Sequence, residues 1–233
     1  MSRHIIRRLP FVKHLIALRD HMTFPGSRKY WEDRYARGHD SGPGSYNRLG
    51  LYKAAFVNRF METHAIPSAI EFGCGDGAQL QHVNFAEYTG LDVSRNAIKQ
   101  CIERFGDETN KSFYLFCPVC FLDNAKRFNA ELTLSLDVIY HLVEDSVFDA
   151  YMTNLFACSN QFVIIYSSNT DQKTHNPHVR HRKFTDWIEN NVSSWSLIAK
   201  EDNPYPWDSN YPNDTSFADF YVFQNPTVAT SRR

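Results

Sequence analysis

The residues best suited to chemistry are Glu71-Phe72-Gly73-Cys74-Gly75-Asp76-Gly77, an acid followed by three alternating glycines. A short apolar run precedes them and a helical pattern follows, so the glycines fall where a ligand crosses the carboxyl end of a strand. Glycine lets the backbone approach such a ligand closely. Twenty-one residues beyond Glu71, Asp92 ends the next apolar run, followed by Val93. A carboxylate there accepts hydrogen bonds from both hydroxyls of a ribose, so the two features together specify a nucleoside-containing cofactor. Gly73, Gly75 and Ala78 also fit the dinucleotide spacing G-x-G-x-x-A, which keeps an NAD(P)-dependent oxidoreductase as a rival. Glu71 counts against that rival, because an acid at the mouth of the first strand repels a pyrophosphate but suits a cationic amino group.

A second constellation follows the buried run Leu132–Leu136, where Asp137, Tyr140 and His141 occupy its polar carboxyl end. Asp137 and His141 are four apart, a spacing that one helical turn brings to a single face. His141 is the candidate general base, since histidine titrates near neutrality. Asp137 is the candidate for shaping the cofactor pocket. Beyond the next strand, three histidines and four basic residues crowd into eleven positions from Lys173 to Lys183. His178, Arg180, His181 and Arg182 in this loop suit an anionic acceptor group. Cys117-x-x-Cys120 has the spacing of half a zinc site but lacks a second ligand pair, so two packed thiols are the expectation and no metal is implied.

These residues need elements to hold them. Short apolar runs at Ser68–Phe72, Tyr88–Val93, Phe113–Phe116, Leu132–Leu136 and Gln161–Ser167 alternate with helical stretches at Ala78–Val83, Ser94–Phe105 and Glu144–Cys158. That alternation is the pattern of a parallel sheet with crossover helices. A helix near Phe184–Asn191 and strands near Ser196–Lys200 and Phe217–Phe223 complete it, the last two as an antiparallel pair. Upstream, Ser27 is the expected cap of a short aromatic helix through Tyr30, Trp31 and Tyr35. The turn-rich loop Gly38–Ser45 follows, and Ser45 is the expected cap of a helix carrying Leu49, Tyr52, Phe56, Val57 and Phe60. The loop and the aromatic helix are candidates for a lid, with Tyr46 facing the acceptor.

The glycine loop resembles the E/D-x-G-x-G-x-G motif of class I S-adenosylmethionine-dependent methyltransferases, and Asp92 resembles their ribose-binding acid. The block Tyr30-Trp31-Glu32-Asp33-Arg34-Tyr35 followed by Ser41-Gly42-Pro43-Gly44-Ser45-Tyr46 looks like a bacterial subgroup known only as methyltransferase-domain proteins. The resemblance implies an α/β, Rossmann-like seven-stranded sheet, mostly parallel with an antiparallel terminal pair. It implies S-adenosylmethionine as cofactor, S-adenosylhomocysteine as product, and Glu71, Gly73, Cys74, Gly75, Gly77, Asp92 and Val93 as its contacts. One departure is that Cys117-Pro118-Val119-Cys120 stands where the family often has a polar group for adenine, leaving backbone groups, Asp123 or Asn124 for that role. Residues 1–66 read as a helical extension and 67–233 as the methyltransferase domain.

The 233 residues, 42% hydrophobic and 22% charged, suit one domain with an appendage. A formal charge of -1 gives no global field for a polyanion, so nucleic acid is not an expected partner. The acceptor is expected to be a small molecule, glycan or lipid. Five scattered cysteines suit reduced thiols and a cytoplasmic protein. Arg3, Arg7, Arg8, Lys13 and Arg19 among apolar residues form a basic amphipathic segment, which allows peripheral contact with the inner face of a membrane, although Pro10 interrupts it. A cofactor-binding interaction module without catalysis is the remaining alternative.

Overall fold

The computed structural model describes residues 24–226. The basic amphipathic segment lies outside them. Twelve named elements follow in chain order: α1 (Ser27–Ala36), α2 (Asn47–His64), β1 (Ser68–Phe72), β2 (Glu87–Asp92), α3 (Arg95–Phe105), β3 (Lys111–Leu115), β4 (Ala130–Leu136), α4 (Asp145–Ala157), β5 (Ser159–Ser167), α5 (Phe184–Asn191), β6 (Ser196–Glu201) and β7 (Asp219–Gln224). The strands form one seven-stranded sheet in the order β3-β2-β1-β4-β5-β7-β6. The first five strands pair in parallel, and β7 runs antiparallel to both β5 and β6. The expected sheet, including its antiparallel end, is therefore present.

Alternation along the strands builds a core on each face. Leu132, Leu134, Phe162, Ile164, Phe220 and Val222 pack with Phe56, Val57 and Met61 of α2 on one side. Val163, Ile165, Tyr221 and Phe223 pack with Phe148, Tyr151, Met152 and Leu155 of α4 and Ile188 of α5 on the other. Chain order reverses between β1 and β4, so the loops leaving their carboxyl ends diverge and open a cleft.

Three local expectations are corrected. Ala78–Val83 is not a helix but holds a single 3-10 turn, Leu80–His82, which ends where Val83 turns extended at φ -118. Ser27 does not cap α1. Gly26 does, at φ 93, while the Ser27 hydroxyl turns inward to lie 2.7 Å from the His141 carbonyl oxygen and 2.6 Å from Glu144 Oε2. Ser45 likewise does not cap α2; it ends a 3-10 turn, Pro43–Ser45, and the helix starts after Tyr46 without a side-chain cap.

Candidate functional site

The carboxyl end of β1 delivers Glu71 into the cleft and that of β2 delivers Asp92. Both are buried. The glycine loop wraps around Asp92: Gly73 and Cys74 donate their N–H groups to Leu91 O at 2.7 and 3.0 Å, and Gly75 N–H donates to Asp92 Oδ2 at 3.0 Å. Ser94 N–H donates to Asp92 Oδ1 at 2.8 Å. Burial pushes Asp92 up to about 6 despite these bonds. Burial also pushes Glu71 up to about 7, although Tyr88 OH donates to Glu71 Oε2 at 2.6 Å. Two buried carboxylates in one cavity can accept hydrogen bonds from a cationic group and from hydroxyls, either of which favours the charged forms.

Glu71, Gly73, Cys74, Gly75, Asp92, Val93, Asp137 and His141 all line this cavity. Gly77 does not: a Cβ there would meet Phe105 and Cys101 on the far side of the loop. Phe116, Cys117, Pro118 and Val119 form the wall after β3, whereas Asp123 and Asn124 are absent from the lining. Asp123 instead closes its own turn, accepting from Phe128 N–H at 2.6 Å. Cys117 and Cys120 are free thiols.

The roof comes from the N-terminal segment, through Ser27, Trp31, Tyr35, Ser41 and Ser45. It is fastened at both sides. Glu32 accepts from Ser94 Oγ at 2.5 Å and Asn96 Nδ2 at 2.8 Å. Asp76 accepts from Tyr46 OH at 2.6 Å, Ser41 N–H at 3.2 Å and Ala78 N–H at 3.0 Å. Burial raises the Asp76 pKa, but these donors outweigh it and hold the carboxyl below its ordinary value. Tyr46 is thus seated on Asp76.

Asp137 leaves β4 with φ 62, so residues 137–141 do not form the helical turn that their spacing suggested; a 3-10 turn covers Ile139–His141. Asp137 Oδ2 pairs with Lys53 Nζ at 2.5 Å, and Tyr140 OH donates to Oδ1 at 2.8 Å. Lys53 is 1% exposed. It was legible as a lysine on the apolar stripe of α2 between Leu49 and Val57. His141 Nδ1 lies 3.0 Å from His178 O. A carbonyl only accepts, so Nδ1 carries the proton and Nε2 keeps a lone pair. Burial lowers His141 to about 4, which departs from the near-neutral titration expected of it.

A second cleft adjoins the cavity and shares Trp31, Ser41, Ser45, Asp137 and His141 with it, adding Tyr140 and His178. Arg180, His181 and Arg182 line a separate groove. Arg180 donates to Val143 O at 2.9 Å and pairs with Asp145 at 2.9 Å. Arg182 donates to Leu142 O, to Val143 O at 2.9 Å and to Asp145 Oδ1 at 3.0 Å. Both guanidiniums brace the β4–α4 connection. His181 Nδ1 lies 2.7 Å from Ser168 Oγ.

The same architecture occurs in known proteins. The N-methyltransferase NodS from Bradyrhizobium japonicum WM9, in complex with S-adenosyl-L-homocysteine, superposes with TM-score 0.66 at 15% identity, over 86% of this chain and 99% of that one. Magnesium protoporphyrin IX methyltransferase from Synechocystis PCC 6803 with bound SAM gives 0.56 at 13% identity, over 91% and 96%. The methyltransferase domain of bacterial CtHen1-C gives 0.57 at 18% identity, over 76% and 98%. The fold is that of the class I methyltransferases. No family model and no curated protein sequence matches the chain.

Proposed function

We propose that this protein is an S-adenosylmethionine-dependent methyltransferase acting on a small-molecule, glycan or lipid acceptor. The observation that carries the reading is the pair Glu71 and Asp92, buried together in one cavity, each with a raised pKa and each beside the glycine loop. Such a pair suits the cationic amino group and the ribose of that cofactor. Within the fold above, Gly73, Cys74 and Gly75 supply close backbone approach, Asp92 holds ribose hydroxyls, and Glu71 faces the amino group. Val93 and the Phe116–Val119 wall flank the base. Asp123 and Asn124 are absent from the lining, which favours backbone groups as partners for adenine.

The cofactor supplies a methyl group on cationic sulfur, which departs as a neutral thioether. The chain's residues align the acceptor, exclude water and receive a proton. Alignment and proximity alone account for about 7 to 11 kcal/mol of such a barrier. His141 lines both clefts, and its Nε2 accepts a hydrogen bond from the acceptor in this reading, while Asp137 pairs with Lys53 and shapes the wall. The α1 helix and the 38–45 loop act as a lid over both clefts.

Calorimetry with S-adenosylhomocysteine tests this reading. The wild-type protein binds it, and Asp92→Ala loses about 1.5 to 3 kcal/mol through removal of a charged hydrogen-bond acceptor. Stabilisation by NAD(H) in place of S-adenosylhomocysteine would overturn the proposal in favour of an oxidoreductase.

A further inference from the structure

The second cleft has an unusual lining. Seven of its lining residues carry aromatic rings: Tyr30 stacks on His178 with centroids 4.4 Å apart and planes 12° apart, and His178 stacks in turn beside His141 at 5.5 Å. The same lining carries Phe217, with its ring 4.8 Å from Tyr140, and Trp207, 5.8 Å from Phe217. Trp207 is 50% exposed, an open aromatic face at the mouth.

The charges in the lining are already matched. Arg34 pairs with Asp40 at 3.1 Å, and Asp137 with Lys53. Burial keeps His141 and His178 near 4, hence neutral. Most polar side chains there are committed too. Ser41 bonds Tyr35 and Asp76 N–H, Thr215 bonds Asp208 and Tyr211, and Ser216 Oγ accepts from Ala218 N–H. A sugar demands many free donors and acceptors, and an anion demands a free cation. A flat ring demands aromatic faces and one acceptor for its hydroxyl or amine hydrogen. His141 Nε2, which no described residue bonds, is that acceptor.

We propose that the second cleft binds an uncharged aromatic acceptor carrying one nucleophilic hydroxyl or amine, stacked between the Tyr30–His178 wall and the Trp207–Phe217 wall, with its hydrogen on His141 Nε2. This rests on the methyltransferase reading and names its substrate class. The acceptor's lone pair forms the new bond to the methyl carbon as the carbon–sulfur bonding pair passes to sulfur. The acceptor's proton, made acidic by that step, leaves through Nε2 to water. The anionic acceptor expected from the basic loop is replaced, because Arg180 and Arg182 are spent on Asp145 and on backbone carbonyls.

The test uses the full chain saturated with S-adenosylhomocysteine, titrated calorimetrically with 2-naphthol, 6-hydroxy-2-naphthoate or methyl β-glucoside. 2-Naphthol binds at least tenfold tighter than the other two, and Trp207→Ala and Tyr30→Ala each weaken it at least fivefold while leaving S-adenosylhomocysteine affinity unchanged. Equal or tighter binding of the naphthoate or the glucoside overturns the inference, as does 2-naphthol binding that ignores both substitutions. Failure of S-adenosylhomocysteine itself to bind removes the methyltransferase reading and this inference together. Normal S-adenosylhomocysteine binding with 2-naphthol ignored removes this inference alone.

Discussion

Cofactor binding should expel protons. Glu71 sits at about 7 and Asp92 at about 6 in the ligand-free protein, so at pH 6.5 Glu71 is about three-quarters protonated and Asp92 about one-quarter. A ligand that presents an ammonium to one and hydroxyl donors to the other favours both charged forms and lowers both values. About one proton is then released per ligand at pH 6.5, falling to about one-tenth at pH 8. Affinity follows, rising about tenfold between pH 6 and 7 and levelling above pH 7.5. Calorimetry of S-adenosylhomocysteine in phosphate and in imidazole reads this directly, because the observed enthalpies differ by the proton count times the difference in buffer ionisation enthalpy. Glu71→Gln should remove about three-quarters of the release at pH 6.5 and Asp92→Asn the remainder. Identical enthalpies in the two buffers at pH 6.5 would refute the reasoning, since the carboxylates would then keep their protonation when the ligand arrives.

Gly75→Val weakens S-adenosylhomocysteine binding by a route through the lid, because a Cβ at this positive-φ residue meets Ser41 Oγ and lies 3.0 Å from Tyr35 OH; circular dichroism should show a folded protein, and unaltered affinity would show that the lid tolerates the displacement. Lys53→Met leaves Asp137 unpaired beside Tyr140 and costs about 3 to 5 kcal/mol in denaturant unfolding, while adding Asp137→Asn, tolerated at φ 62, restores part of it. His141 and His178 fall from 6.5 to about 4 on folding, so the stability each lends is complete above pH 6.5 and is lost as pH drops toward 4. Discounted for partial exposure, that is about 1 to 2 kcal/mol per histidine, and His178→Phe should show a correspondingly smaller loss between pH 7 and 4.5.

The sheet was legible because each strand carries its own apolar run, and the cavity lined by Glu71, Gly73, Gly75 and Asp92 because these residues lie close in sequence at two strand ends. What escaped was long-range. Lys53 meets Asp137 across 84 positions, Glu32 meets Ser94 across 62, and no local period encodes either contact. Ser27 and Ser45 looked like caps because their type favours that role, yet tertiary partners claimed Ser27 and a 3-10 turn absorbed Ser45. Arg180 and Arg182 looked like a ligand clamp because composition shows charge but not the carbonyls of Leu142 and Val143 that face it. The near-neutral titration of His141 failed for the same reason, since burial is a property of the packed chain.

Trp31, Ser41 and Ser45 form part of the boundary of both clefts, so the two chambers share a partition that belongs to neither ligand. Opening both at once would require the α1 helix and the 38–45 loop to leave the Ser94 and Asn96 contacts of Glu32, the Glu144 contact of Ser27 and the Asp76 contacts of Ser41 and Tyr46 together. Under the proposed function, exchange of spent cofactor and of acceptor would then share one opening movement. In that reading, a substitution at Glu32, remote from the transferred carbon, would alter release without touching the reacting atoms.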